Sequence, residues 1–301
     1  MPLTEEQEVI VESIGKPLLV LAGPGTGKTE VLAYRILCLL KNNLATKDKI
    51  IGITFTTKAA KQMRNRLKEL GLEINDQPLL CTLHSLSMRM LKDRGNEIDI
   101  SEDFVIADEY ESSLILGDAI SEIKPSAMVN RKKWGNEILL LKAERKESDD
   151  ISDGFFKKVY MRYQELLRFH FALDFQDLII QACKLLEASE ETKNNYQGKS
   201  KYLLADEFQD INKAEYSLIK YIAGTAKGLF VVGDDKQSIY GWRGGDPQII
   251  LGFTKNFLQA IQKPMTICKI GRKRVCWRSQ QTLFHGGATL GNASFHLQAI
   301  G

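Results

Sequence analysis

The chain has 301 residues, enough for two domains or one large one, and 44% of them are apolar, as in globular proteins. No apolar run approaches the length of a membrane span, and the first residues lack a signal-peptide pattern. The net charge of +3 hides an asymmetry: no acidic residue follows Asp246, whereas Lys255, Lys263, Lys269, Arg272, Lys273, Arg274 and Arg278 all do. The body is therefore mildly acidic and the tail strongly basic, a pattern compatible with holding nucleic acid or with an atypical end. The five cysteines are odd in number and form no C-x-x-C pair. This predicts a reduced, cytoplasmic protein without a zinc site.

Residues 1–17 read as an opening helix, with Thr4 as N-cap and Gln7 in capping-box position. The apolar run Leu18–Leu21 reads as a buried strand. It runs into the glycine turn Gly23-Pro24-Gly25-Thr26-Gly27 and then Lys28-Thr29, after which Val31, Leu32, Ile36, Leu37 and Leu40 repeat at helical spacing. Residues 49–55 form a second strand-like run, followed by a basic helix over 58–70. A third short run covers 79–83, with helix continuing to Leu91. From 107 to 172 charges are dense, amphipathic helical patterns dominate and no buried strand is evident, so an inserted helical subdomain is predicted. Asp174 caps a further helix, residues 192–200 read as a polar loop, and the runs 202–205 and 229–233 read as buried strands. Strands alternating with helices imply a parallel sheet covered on both faces.

Three stretches carry chemistry. Strand, glycine turn, Lys-Thr and helix together are the context of a phosphate-binding P-loop. Glycines let successive backbone N–H groups turn toward phosphate oxygens, so Gly23, Gly25, Thr26 and Gly27 are expected to cradle a nucleotide. The helix N-terminus adds its positive dipole end. Lys28 would reach the β- and γ-phosphates and the Thr29 hydroxyl would ligate Mg²⁺. The first glycine of the usual pattern is Ala22 here. The second stretch, Tyr202-Leu-Leu-Ala-Asp206-Glu207, delivers two acids at a strand end: Asp206 for Mg²⁺, and Glu207 to orient and deprotonate a water. The adjacent glutamate argues for ATP hydrolysis over a GTPase or small-molecule kinase. The third stretch runs from Leu229 through Gly233 to Asp246. There Gln237 is placed to sense the γ-phosphate, and Tyr240 and Trp242 to stack on bases, which favours single strands of any sequence.

Seven segments in order make the chain resemble the first motor domain of superfamily 1 DNA helicases of the UvrD/Rep/PcrA type. They are Leu3-Thr-Glu-Glu-Gln7; Ala22 to Thr29; Ile53-Thr-Phe-Thr-Thr-Lys-Ala-Ala60; Thr82-Leu-His-Ser85; Asp174-Phe-Gln-Asp-Leu-Ile179; Asp206-Glu-Phe-Gln-Asp-Ile-Asn212; and Gly233 to Asp246. The resemblance implies an α/β, RecA-like P-loop NTPase with a central parallel sheet and an inserted helical subdomain. It implies ATP and Mg²⁺ as cofactors and single-stranded or partly duplex DNA as partner, with unwinding in the 3′ to 5′ sense. By resemblance, Gln7 would read the adenine edge, Phe55 and Trp242 would stack on bases, and Thr82, His84 and Arg243 would contact the single strand. Glu30 stands where relatives often carry an arginine beside the adenine.

The expected division is a discontinuous ATP-binding domain, residues 1–106 plus 173–260, an inserted helical subdomain over 107–172, and a basic tail or truncated second-domain start over 261–301. In that tail Cys276-Trp-Arg-Ser279 lies roughly where the family has Asn-Tyr-Arg-Ser, which would make Trp277 a stacking aromatic and Arg278 an arginine finger. The expectation is therefore an ATP-binding motor domain that is a weak helicase by itself. A non-catalytic module that binds nucleotide and nucleic acid is the alternative, and RNA remains open beside DNA.

Overall fold

The computed structural model describes residues 3–234, 236–237, 241 and 244–266. Its centre is a sheet of six strands: β1 (Leu18–Ala22), β2 (Ile50–Ile53), β3 (Leu79–Cys81), β6 (Tyr202–Ala205), β7 (Leu229–Gly233) and β8 (Ile261–Met265), in the order β3-β2-β6-β7-β1-β8. Every neighbouring pair is parallel. All strand C-terminal ends therefore share one edge of the sheet, the edge where open α/β folds bind ligands.

Alternation along β1 explains the two layers. Leu18 and Val20 face a cluster with Ile10 and Val11 of α1 (Glu5–Glu12), Val31 and Ile36 of α2 (Lys28–Lys41) and Leu67 of α3 (Thr57–Glu69). Leu19 faces the opposite cluster, built by α4 (Leu83–Arg94), α8 (Phe175–Ala188) and α10 (Lys213–Ala223). Strands covered on both sides have no polar face, which is why β2, β6 and β7 read as unbroken apolar runs.

A third apolar cluster forms where α5 (Glu109–Ile123), α6 (Arg131–Ala143) and α7 (Gly154–Phe169) pack around Trp134, Ile138, Phe156 and Tyr163. Two short parallel strands, β4 (Val105–Ala107) and β5 (Ala172–Asp174), pair where the chain enters and leaves these helices.

Three sequence expectations change. The opening helix is shorter than 1–17: it runs from Glu5 to Glu12, with the expected capping box at Thr4 and Gln7. The polar loop expected over 192–200 is helix α9 (Glu190–Lys199), capped by Ser189, whose side chain accepts from the Thr192 N–H. Few apolar residues mark it because only Thr192 and Tyr196 are buried on it. Finally, Ile261–Met265, which the sequence leaves in the basic tail, is the sheet's edge strand beside β1. Pro264 is tolerated there because an edge strand has one side without a ladder partner.

Candidate nucleotide site and the adjoining strand ends

The P-loop is built by β1 and α2. After Ala22 the chain turns through Gly25 and Gly27, both at positive φ (72° and 89°), and Gly27 is the N-cap of α2. A side chain at either position would be strained. The Thr26 hydroxyl donates to the Gly23 carbonyl at 2.7 Å and closes the turn. Lys28, the first helical residue, carries its ammonium 3.0 Å from a Glu207 carboxylate oxygen.

Gln7 stands behind this loop and is 1% exposed. Its Nε2 donates to the Thr26 carbonyl at 2.8 Å, and its Oε1 accepts from the Thr4 N–H at 3.1 Å. The amide thus bridges the P-loop and the start of its own helix, with one N–H and one oxygen lone pair beyond these two bonds. The other end of α1 is held by Arg35 of α2, whose guanidinium donates to the Val11 carbonyl at 2.6 Å and lies 5.0 Å over the Phe230 ring. Burial pulls this guanidinium down to about 10.

The acids come from the end of β6. The Asp206 N–H donates to the Ile53 carbonyl on β2, which fixes the strand end in the sheet. Glu207 sits at φ 50°, ψ 44°, a left-handed conformation that costs a non-glycine residue free energy. Asp206 is pushed up to about 6, first by burial and then by the neighbouring Glu207 charge. A cation beside it would reverse that balance. The Asp206 carboxylate and the exposed Thr29 hydroxyl are oxygen donors of the type Mg²⁺ prefers. Among the described residues no group of three or more His, Cys, Asp or Glu gathers to hold a metal.

One residue here carries no role in the sequence reading. Gln209 donates from Nε2 to Glu207 at 2.8 Å and to Asp210 at 3.1 Å, while its Oε1 accepts from the Asp234 N–H at 2.9 Å. It ties the end of β6 to the end of β7. Gly233 makes room for it, because a Cβ there would lie 2.7 Å from Gln209 Oε1 and 2.8 Å from Ile250 Cδ1. Its position inside the Asp206–Asn212 segment was the available signal. Gln237 follows, with its N–H donating to the Asp234 carbonyl at 3.0 Å. Tyr240, Trp242 and Arg243, like Trp277 and Arg278, lie outside the described residues.

The residues expected at DNA cluster on the other half of the same sheet edge. Ile53 of β2 is in register with Cys81 of β3, so Phe55 on one side and Thr82 and His84 on the other leave from adjacent strands. Phe55 is half-buried. The Thr82 hydroxyl caps α4, accepting from the Ser85 N–H at 3.1 Å. His84 is half-buried against Phe175, ring centroids 6.1 Å apart and nearly perpendicular. Phe175, the first residue of α8 and 48% exposed, is a second aromatic on this face that the sequence reading left unassigned. Glu30 holds Arg66 of α3 in a two-pronged pair, at 2.9 and 2.5 Å. A guanidinium therefore reaches the first turn of α2 from a neighbouring helix rather than from position 30.

No helix among the described residues is long and apolar enough to cross a membrane. A family model described as "UvrD/REP helicase N-terminal domain" matches residues 3–258. Among curated proteins, the chain is similar to "ATP-dependent DNA helicase PcrA" of Staphylococcus epidermidis, 39% identical over 266 residues. That alignment covers 86% of this chain and 36% of the relative. It is also similar to the protein of the same name from Staphylococcus aureus, 37% identical over 265 residues, covering 85% of this chain and 36% of the relative. The chain thus spans little more than a third of the length of these relatives.

Proposed function

Because the chain belongs to the UvrD/REP helicase N-terminal domain family, we propose that it is the ATP-binding portion of a DNA-translocating motor, binding ATP–Mg²⁺ across β1, β6 and β7 and single-stranded DNA across β2 and β3. The observation that carries this reading is the meeting of Lys28 and Glu207 at 3.0 Å, next to the half-buried Asp206, across 179 positions of sequence. A phosphate-binding cation, a carboxylate for a divalent ion and a carboxylate for water converge on one point.

In this reading Lys28 leaves Glu207 and neutralises the β- and γ-phosphates. Mg²⁺, when bound by Asp206 and Thr29, would offset the charge that develops on the transferred phosphoryl group. Glu207, freed from Lys28 and steadied by Gln209, takes a proton from the attacking water. Gln237, on the loop after β7, senses whether the γ-phosphate is present. Phe55, His84 and Phe175 offer faces and edges to bases, with Tyr240, Trp242 and Arg243 as further candidates on the same loop as Gln237. Gln7 holds the P-loop backbone through one amide N–H, leaving the other N–H for the adenine edge. Duplex unwinding and the 3′ to 5′ sense belong to the whole relatives, and for this chain they are part of the proposal.

The test is a titration with a fluorescent ATP analogue and Mg²⁺, followed by turnover assays with and without single-stranded DNA. Micromolar binding that falls at least tenfold in Lys28→Ala supports the reading. No measurable affinity in the unaltered chain overturns it. The Lys28–Glu207 pair also favours a second reading, a module that binds nucleotide and nucleic acid without turnover, because it engages the phosphate cation and the base together. Salt-dependent DNA binding with no hydrolysis under any condition selects that one.

The site also sets a pH dependence. Since the folded carboxyl of Asp206 titrates at about 6 against an ordinary value of 3.8, the fold prefers its protonated form. The stability contributed by that proton is full below about 3.8 and is lost as pH rises through about 6. Mg²⁺ needs the ionised form, so the Mg²⁺-dependent part of nucleotide affinity is expected to fall roughly tenfold per unit below pH 6. Titrations at pH 5 and pH 7.5 with and without Mg²⁺ measure this, and an unchanged ratio rejects Asp206 as the ion's ligand.

A further inference from the structure

The turn that follows α6, one face of α7 and one face of α8 line a cavity of about 290 Å³. On α7 the lining includes Tyr160, Gln164 and Arg168, successive residues four positions apart, which places them on one side of the helix. On α8, Asp177, Gln181 and Lys184 recur at the same kind of spacing. No lining residue belongs to β1, β6 or β7 or to the loops after them, so the cavity is separate from the nucleotide site.

The carboxylates of this lining are already matched. Asp177 faces Lys142 at 2.7 Å, Glu147 faces Lys184 at 3.7 Å and Glu165 faces Arg162 at 3.0 Å. Arg145 is matched as well, by Glu187 at 2.7 Å. Two cations of the lining are left over. Lys146 and Arg168 are exposed, and neither side chain has a carboxylate partner among the described residues. Gln164 adds a donor: its Nε2 is buried and has no acceptor among the described residues. A buried amide N–H without an acceptor is costly, and an oxyanion supplies one.

From this juxtaposition we propose that the cavity between α7 and α8 is a second anion site, independent of the function proposed above, which binds a phosphate monoester. Arg168 and Lys146 neutralise the phosphate, and Gln164 Nε2 donates to one of its oxygens. Charge decides the class of ligand. A monoester carries close to two negative charges at neutral pH, and two cations stand unmatched. A phosphodiester carries a single charge and leaves one of them over. The guanidinium of Arg168 presents a planar fork of donors that suits phosphate oxygens. The cavity is larger than a phosphate group alone, and Ser148 and Gln181 give the remaining space a polar lining suited to a small hydroxylated body. Such a monoester is borne by a sugar phosphate or by the 5′ end of a nucleic-acid strand.

The experiment is a calorimetric titration of the full chain carrying Lys28→Ala, so that the glycine turn contributes little to phosphate binding. Ribose 5-phosphate is expected to bind with a Kd of about 1 mM or tighter, and dimethyl phosphate at least about fivefold more weakly. Arg168→Glu with Lys146→Glu, both at exposed positions, is expected to weaken ribose 5-phosphate at least about tenfold. Gln164→Met, which keeps the length and removes the donor, is expected to weaken it about threefold or more. Lys158→Glu, an equal change of charge on α7 outside the cavity, leaves the affinity as it was. A 5′-phosphorylated tetrathymidylate separates the two sources: tighter binding than ribose 5-phosphate, lost in the doubly reversed variant, assigns a strand end, and weaker binding assigns a sugar phosphate. The site is overturned if ribose 5-phosphate does not bind, or if it binds the doubly reversed variant as well as the parent. Dimethyl phosphate binding as tightly as ribose 5-phosphate overturns the monoester assignment.

Discussion

Glu207→Gln is expected to leave a chain that still binds ATP–Mg²⁺ but hydrolyses it at least a hundredfold more slowly. The amide keeps the size and the hydrogen bond from Gln209, whose Nε2 lies 2.8 Å from the carboxylate. It loses the basicity needed to take a proton from water, a role worth on the order of 10²–10⁴ in rate. The substitution also removes the anion that holds Lys28 at 3.0 Å. On the proposed function ATP parts that pair when it binds, so nucleotide affinity is expected to stay equal or tighten. This combination separates a base from a binding residue: Lys28→Ala loses affinity, whereas Glu207→Gln loses turnover alone. Single-turnover hydrolysis and a binding titration on the same preparation measure both. A Glu207→Gln chain with undiminished turnover would remove Glu207 from the chemistry.

The second large effect concerns stability. Lys142 is 1% exposed and faces two buried carboxylates. Burial alone would lower its pKa, yet Asp174 and Asp177 outweigh burial and hold it raised. Asp174 is drawn below its ordinary value by Lys142 against the opposing effect of burial, whereas burial pushes Asp177 up to about 6. Tyr163 of α7 donates to Asp174 at 2.9 Å, so the network binds α6 and α7 to the start of α8. Lys142→Met strands two acids without a cation, and removing one partner of a buried pair typically costs about 3–5 kcal/mol. A fall of more than about 6 °C in Tm is expected. Neutralising the acids as well, in Lys142→Met with Asp174→Asn and Asp177→Asn, is expected to recover a large part of it, because the main penalty is the unpaired charge. Thermal unfolding of both variants decides this. A triple variant no more stable than the single one would show that Lys142 acts through packing.

What could be read from the chain was what is encoded locally. Gly25 and Gly27 announce a turn that only glycine adopts readily, and an apolar strand ending in Asp206-Glu207 announces acids at a sheet edge. The parallel sheet followed from strands with no polar face. What escaped depends on partners distant in sequence. Gln209 looks like any polar residue until Asp234 is brought to it from 25 positions away. Lys142 sits in a stretch rich in charge, and nothing in the pattern of α6 distinguishes a buried lysine from the solvated ones around it. Helix α9 has too few buried positions to show a period, although Ser189 was a legible cap. Strand β8 is short, contains a proline and lies among basic residues, so its tertiary pairing overrides its local signals.

Strand β8 also ties the edge of the sheet to the phosphate loop. Met265 lies in register with Ala22, immediately before the glycine turn, and the next residue, Thr266, binds the Glu6 carboxylate through its N–H and its hydroxyl. Glu6 directly precedes Gln7, which grips Thr26. A pull applied at Thr266 is therefore borne by the backbone ladder along β1 and by the helix whose glutamine grips the glycine turn. Load at Thr266 reaches the phosphate loop along one strand and through two adjacent side chains of α1, Glu6 and Gln7.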